Sequence, residues 1–103
     1  MLRGLEHCRV LERTIQQNIV RELRARGCLV YKFDAASQRG VPDLLVIKPG
    51  GDVVFMEVKR PGKDLTRQQA LHHTRLDVAG ADVCVVRSVV QALHTLDCVE
   101  RKQ

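Results

Sequence analysis

The chain holds no tryptophan, one tyrosine and two phenylalanines in 103 residues. Proteins that grip single strands commonly stack bases on several aromatic side chains. Tyr31, Phe33 and Phe55 are too few, and too embedded in strand-like runs, to form such a platform. A nucleic-acid partner would therefore be held mainly by its backbone. The longest apolar runs span only a few residues, which excludes a transmembrane helix. The N-terminal stretch MLRGLEHCRV lacks the apolar core of a secretory signal. No Cys-x-x-Cys pair exists, since Cys8, Cys28, Cys84 and Cys98 lie 20, 56 and 14 positions apart. Zinc-ribbon and thioredoxin-like readings fail on that spacing. Cys28 and Cys84 fall in apolar segments and read as small core residues. Reduced thiols fit a cytoplasmic location. Internal repeats, linkers and low-complexity tracts are also lacking.

What is present is one compact domain, 1–103, with its core at about 11–99 and frayed termini. Hydrophobic residues at 45% and charged residues at 28% fit a globular domain rather than a disordered tail. Lys plus Arg total 17 and Asp plus Glu total 12, so the net charge is 17 − 12 = +5. Such a balance favours anionic partners, either nucleic acid or an acidic membrane surface.

Leu11, Ile15, Ile19 and Leu23 recur every four residues and predict an amphipathic helix over 11–26, stopped by Gly27. At roughly 100° per residue, Glu12 points into that apolar stripe. Two readings stay open. Glu12 either sits wet in the first turn, where it favours the helix dipole, or faces inward to meet something cationic. Cys28 to Phe33 is strand-like, and a polar loop over 34–40 follows. Pro42 keeps Val41 extended, and Asp43 then opens the strand Leu44 to Ile47. Pro49-Gly50-Gly51 is a turn signal. Val53 to Lys59 is apolar on both faces until its end, which predicts a central strand. Thr66 and Gln69 match a capping box for a helix ending near Ala79, before Gly80. Asp82 to Arg87 contains another strand. Ser88 and Gln91 repeat the box before a last helix through about Val99. The predicted order is α-β-β-β-α-β-α, an α/β layout with a central mixed sheet flanked by helices.

Three polar residues interrupt apolar strand positions: Asp43, Glu57 and Lys59. Glu57 and Lys59 are two apart and share a face. The turn makes the two strands an antiparallel hairpin. If Gly50 is its centre, Asp43 opposes Glu57, with the carboxylates about 5 Å apart. A two-residue turn would instead set Val58 opposite Asp43 and leave the carboxylates diagonal. Either register lets the pair share a divalent metal. Two adjacent carboxylates repel and need a cation near neutral pH. An oxygen-only site with few protein ligands suits Mg²⁺. Such an ion polarises a phosphoryl oxygen and lowers the pKa of water it binds. A lysine on the same face orients that water or neutralises charge developing on phosphate. The alternative is an ordinary same-face ion pair with Asp43 following Pro42 by chance.

The motifs Gly40-Val41-Pro42-Asp43, Phe55-Met56-Glu57-Val58-Lys59-Arg60-Pro61-Gly62, Leu65-Thr66-x-x-Gln69 and Ala79-Gly80-Ala81 together resemble the VRR-NUC domain, a branch of the PD-(D/E)XK nuclease superfamily. The resemblance runs from Glu12 to about Val90 and is to the stand-alone, phage or bacterial type. It implies a restriction-endonuclease-like core. It also implies that Asp43, Glu57 and the backbone carbonyl of Val58 are metal ligands and that Lys59 is the catalytic lysine. Glu12 matches an acidic residue of the first helix, which makes it a further metal ligand and catalytic residue, and Gln69 matches a catalytic glutamine after the central hairpin. Gln69 can equally be a capping residue. Bare domains of this kind look like Mg²⁺-dependent endonucleases acting as homodimers on branched DNA, as Holliday-junction resolvases do, with Mn²⁺ also supporting activity. The products would carry 5′-phosphate and 3′-hydroxyl ends.

Arg39, Arg60, Lys63 and Arg67 flank the acidic cluster and are candidate phosphate contacts, or else solvated loop charges. The last helix has Val89, Val90, Leu93 and Leu96 to spare for a dimer interface. His72 and His73 are adjacent and cannot share one helix face, while His7 and His94 lie outside any motif. All four read as surface or partly buried side chains. Other readings are a flap or non-specific nuclease that borrows selectivity from a partner protein, and a non-catalytic DNA-binding module. A restriction enzyme is unsupported, because no extra segment exists to read base edges.

Overall fold

A computed structural model describes residues 4–33 and 39–99, with side chains from residue 11 onward. The side chains of His7 and Cys8, most of the expected 34–40 loop and the tail 100–103 lie outside the described residues. The order is α1 (Gly4–Ala25), β1 (Leu29–Lys32), β2 (Leu44–Ile47), β3 (Val53–Val58), α2 (Arg67–Val78), β4 (Asp82–Val86) and α3 (Val89–Cys98). This is the predicted α-β-β-β-α-β-α order. The sheet runs β1-β2-β3-β4, so β3 is interior, as its two-sided apolar pattern predicts. The β1–β2 and β2–β3 pairs are antiparallel, and β3–β4 is parallel, with α2 making the crossover.

The β2–β3 hairpin decides the register. Lys48 N–H donates to the Asp52 carbonyl at 2.8 Å, and Gly51 N–H to the Lys48 carbonyl at 2.9 Å. Between them lies the three-residue loop Pro49-Gly50-Gly51. Gly50 and Gly51 have φ of 101° and 104°, which side-chain-bearing residues adopt rarely. Leu44 therefore pairs with Met56 and Leu45 with Phe55, the register centred on Gly50.

One face of the sheet carries the core. Val30, Val46 and Val54 lie side by side across three strands, followed by Leu44, Met56, Val58 and Val86, all buried. Ile19, Val20 and Leu23 of α1 and Ala92 and Leu96 of α3 close over them. Each of these large aliphatic side chains contributes about 1.5–3 kcal/mol by leaving water. Lys48 locks α3 down, its ammonium donating to the carbonyls of Leu96 and Val99 at the helix end.

Three features differ from expectation. Helix α1 begins at Gly4, seven residues before the predicted start, because an apolar repeat marks a buried face and not the hydrogen-bonded end of a helix. An i+4 series drifts roughly 40° per step. Leu11, at its edge, is accordingly 40% exposed, while Ile19 and Leu23 are fully buried. The Ser88 hydroxyl accepts from Gln91 N–H, yet the Gln91 side chain accepts from Arg87 N–H rather than from Ser88, so the second capping box is open. Finally, α3 has little to spare: Ala92 and Leu96 are buried, Val89 and Leu93 pack on the core, and only Val90 stands in water. The expected interface on α3 is overturned, since its apolar side chains complete the fold.

Candidate active site

Asp43 immediately precedes β2, and the hairpin register sets it opposite Glu57 of β3. Its Oδ2 accepts the backbone N–H of Val58 at 2.9 Å, which ties the carboxylate to the neighbouring strand. The Asp43 carboxyl lies close enough to Glu57 to perturb it. Lys59 follows β3 on the same face as Glu57, and its N–H donates to the Val86 carbonyl at 3.0 Å. Both side chains are buried, Glu57 at 2% and Lys59 at 3% exposure. Three charged or ionisable groups thus meet at one end of the central strand, on the face opposite the core. Val58 itself is buried in β3, and its amide is the group that touches Asp43.

Burial without a full set of partners governs the electrostatics. Removal from water, hydrogen bonding of the protonated Glu57 to Asp43 and the nearby Asp43 charge push the Glu57 carboxyl up to about 9. Lys59 opposes this, and Glu12 adds to it. At neutral pH the metal-free pair therefore retains a proton on Glu57. One of its oxygens, Oε1, is buried with no hydrogen-bond partner. A buried orphan acceptor of this kind is unfavourable by about 1–3 kcal/mol.

Both flanking helices reach the pair. Glu12 lies in the third turn of α1, not the first, and its Oε1 accepts the backbone N–H of Arg60 at 3.3 Å. The inward reading of Glu12 is the one the helix adopts, and the first-turn reading is overturned by the earlier helix start. Gln69 does both things expected of it. Its Oε1 accepts Thr66 N–H at 2.9 Å to complete the capping box, and its Nε2 reaches Glu57 Oε2 at 3.5 Å. One turn later, His73 brings Nε2 to 4.0 Å from Glu57 Oε1, and that nitrogen too is buried and unpartnered. Burial, with the Lys59 charge acting in the same direction, lowers its pKa, so the ring is neutral near pH 7.

Gly40 sets the distance between the Asp43 segment and α2. A Cβ there would lie 2.6 Å from the Gln68 carbonyl oxygen and 2.7 Å from His72 Cδ2, and φ is +85°. Only glycine allows that approach. His72 and His73 thus face different neighbours, and treating them as a pair hid the second.

A cleft of about 260 Å³ opens beside the pair, lined by Glu12, Arg13, Gln16 and Asp43. Glu57 and Lys59 lie behind it. Arg13 and Gln16 were not anticipated, although Gln16 follows Glu12 by four residues on one helix face. Of the expected phosphate contacts, Arg39 and Arg67 are exposed and Arg60 and Lys63 half-buried. Arg87 fixes the intervening loop by donating to the carbonyls of Arg60 and Lys63, at 3.0 and 2.6 Å.

The donor set fits a hard divalent cation. It offers two facing carboxyls, one with an orphaned buried oxygen, and an open polar cleft for water. No cluster of three His, Cys, Asp or Glu side chains forms a ready-made cage among the described residues. Few protein ligands and retained water is the Mg²⁺ pattern. No helix among the described residues is long and apolar enough to cross a membrane.

Comparison with known proteins gives a consistent picture. No family model matches the chain. It is 40% identical over 79 residues to "Putative nuclease p44" of Acyrthosiphon pisum secondary endosymbiont phage 1, covering 77% of this chain and 85% of the relative. A solved structure described as "VRR_NUC domain" superposes with a TM-score of 0.75 at 34% identity, over 84% of this chain and 95% of the other. A second, "VRR_NUC domain protein", has a TM-score of 0.66 at 16% identity, over 84% of each, and shows the shared fold alone.

Proposed function

The chain belongs to the VRR-NUC family, and from that premise we propose that it is a divalent-metal-dependent endodeoxyribonuclease that hydrolyses phosphodiester bonds. One observation carries this reading: Asp43 and Glu57 face each other across neighbouring strands, with Lys59 buried beside them. The proposed cofactor is Mg²⁺, with Mn²⁺ as a substitute, held by Asp43, Glu57 and the Val58 carbonyl. Bound there, the ion supplies Lewis-acid polarisation of a phosphate oxygen and eases deprotonation of the attacking water. Lys59 meets the charge that develops on the phosphate and orients the water. Gln69 would hold the Glu57 carboxyl in place through Oε2. Glu12 organises solvent at the cleft side of the pair. Arg13, Arg39, Arg60, Lys63 and Arg67 hold the DNA backbone at the cleft mouth.

The finer reading is a homodimer that cuts branched DNA of the Holliday-junction type. A domain this small has little surface to grip DNA, and a two-fold dimer offers two sites to a two-fold substrate. Besides Leu11, Leu71, Val78 and Val90 on the helices, the apolar side chains left in water lie on the sheet side. Leu29 and Val53 share a row with Ile47, and Tyr31 shares a row with Leu45 and Phe55. Phe33 stacks on Phe55, with ring centroids 6.2 Å apart. Leu29, Tyr31, Phe33 and Val53 are all 39% exposed or more. A synthetic four-way junction, a flap and a linear duplex with Mg²⁺ test the reading, alongside mass in solution. Nicking of the junction by a dimer is expected, with Lys59→Ala binding DNA but not cutting it. A monomer that cuts flaps or duplex well and leaves the junction intact would defeat the resolvase reading. Vigorous cleavage in chelator would defeat the metal reading.

A further inference from the structure

The Asp43–Glu57 pair shares its side of the sheet with the aromatic residues. Phe33 directly follows β1, and its N–H donates to the Asp43 carbonyl at 2.9 Å. Asp43 in turn opposes Glu57. Phe33, Asp43 and Glu57 thus form one row across three neighbouring strands, each step about 5 Å. Side chains alternate along a strand, so Phe33, Tyr31 and Phe55 lie on the carboxylate face, opposite the buried Val30, Val54 and Met56. In the sequence these aromatics are scattered over two strands, and the register gathers them beside the site.

Phe33 and Phe55 are stacked, with ring centroids 6.2 Å apart and planes 17° from parallel. That contact orients the Phe33 ring before any ligand arrives, which lowers the entropy lost on binding. Phe33 remains 40% exposed and Tyr31 52%. Size separates two kinds of occupant. At these exposures, Tyr31 and Phe33 together with Leu29 and Val53 offer about 350 Å². Each partner in a stable complex commonly buries about 800 Å². A second copy seated there would need further surface, whereas one flat ring would not. A nucleotide also matches the two kinds of surface that meet here. Asp43 lines the polar cleft together with Arg13, and on its other side it pairs with Phe33. One nucleotide presents the same juxtaposition, an anionic phosphate joined to a flat π-face.

Resting on the branched-DNA nuclease reading above, we propose that Phe33, propped by Phe55 and flanked by Tyr31, stacks on a nucleobase beside the scissile phosphate. Only a base with a free face can stack there. Inside a duplex both faces are covered by neighbouring pairs, and a branch point uncovers one. The contact therefore selects DNA for an interrupted stack and not for sequence, because every base has a π-face.

The test pairs deletion of a base with a change of side chain. A four-way junction and a flapped duplex each carry a single abasic site, moved one nucleotide at a time across the branch point. Binding is read by fluorescence anisotropy, with Ca²⁺ replacing Mg²⁺ so that the DNA stays whole. One abasic position is expected to weaken wild-type binding roughly tenfold, a result that needs no substitution. Phe33→Ala should weaken binding to intact DNA by a similar factor and then lose no more at that abasic position. Phe33→Trp should restore the sensitivity. Circular dichroism establishes that each variant is folded, and its mass in solution should equal that of wild type. Equal affinity for intact and abasic DNA at every position would overturn the proposal, as would two losses that simply multiply in Phe33→Ala. A fall in mass on Phe33→Ala would give the patch to a second copy and overturn it too. Cleavage of branched DNA in Mg²⁺ would leave the nuclease reading standing in each of these cases. Failure of wild type to bind or cut any DNA would overturn both readings together.

Discussion

Replacing Glu57 by Gln should stabilise the metal-free protein, and by more as pH rises. The folded protein holds the Glu57 carboxyl at about 9, against an ordinary value of 4.5 in the unfolded chain. An acid raised in this way binds its proton more tightly when folded. Below pH 4.5 both states are protonated and position 57 costs nothing through charge. Between pH 4.5 and 9 the unfolded chain has released a proton that the folded protein keeps, so stability falls with rising pH. The slope is about 1.4 kcal/mol per pH unit, so the three units from pH 5 to pH 8 remove about 4 kcal/mol. That is a large share of the roughly 5–15 kcal/mol that holds a domain folded.

The assay is urea unfolding in chelator at pH 5, 6, 7 and 8. With no tryptophan and one tyrosine, circular dichroism is the suitable probe. The quantity to plot is the stability of Glu57→Gln minus that of wild type, in which all other titrations cancel. It should start near zero and climb by several kcal/mol. With urea slopes of about 1–3 kcal/mol per molar, the midpoints should separate by more than 1 M at pH 8. Adding metal narrows the gap. An ion at a hundred times its dissociation constant stabilises wild type by about 2.7 kcal/mol, and the variant hardly at all. A difference plot that stays flat across this range would refute the argument that Glu57 is a buried acid awaiting a cation.

Three further outcomes follow from other parts of the molecule. Gly40→Ala should lower Tm by about 10 °C or more, because its Cβ meets the Gln68 carbonyl at 2.6 Å and φ is +85°. Gly62→Ala has the same φ and open space, so it should fall by much less in the same calorimetric scan. Arg13→Ala should weaken DNA binding at every sequence and reduce the slope of log affinity against log salt by about 1, measured by anisotropy. In a Cys8→Ser background, a thiol reagent followed by mass spectrometry should modify exposed Cys98 first. Cys28 and Cys84 should lag, since burial shields both and pushes their thiols up.

Most of the architecture was legible because its signals are local. Leu44 to Ile47 is a short apolar run bounded by Pro42 and Pro49, and the glycines after Pro49 admit one compact loop. That loop alone places Asp43 opposite Glu57. The parts that escaped are those that depend on what lies across the fold. Periodicity shows which way Leu23 points but not where α1 begins. The apolar side of α3 was visible, but whether it met the core or a second copy depended on the sheet beneath it. His73 escaped because two neighbouring histidines were judged together, when each faces a different element.

Glu57 and Lys59 break the rule that an interior strand is apolar, and the break explains why the site sits where it does. On one side of β3, Val54, Met56 and Val58 bury against α1 and α3. On the other side, α2 packs over β4 and leaves the end of β3 to be closed by single side chains. Gln69 and His73 come from α2, and Glu12 from α1 through the Arg60 amide. These contacts exclude water from Glu57 without satisfying it. A destabilised, water-excluded carboxylate is a poor structural element and a strong ligand once a cation replaces its proton. Stability and metal affinity are thus two ends of one equilibrium. Any substitution that stabilises the metal-free fold by neutralising Glu57 must weaken the site, and one that relieves the fold elsewhere, as at the exposed Val90, need not.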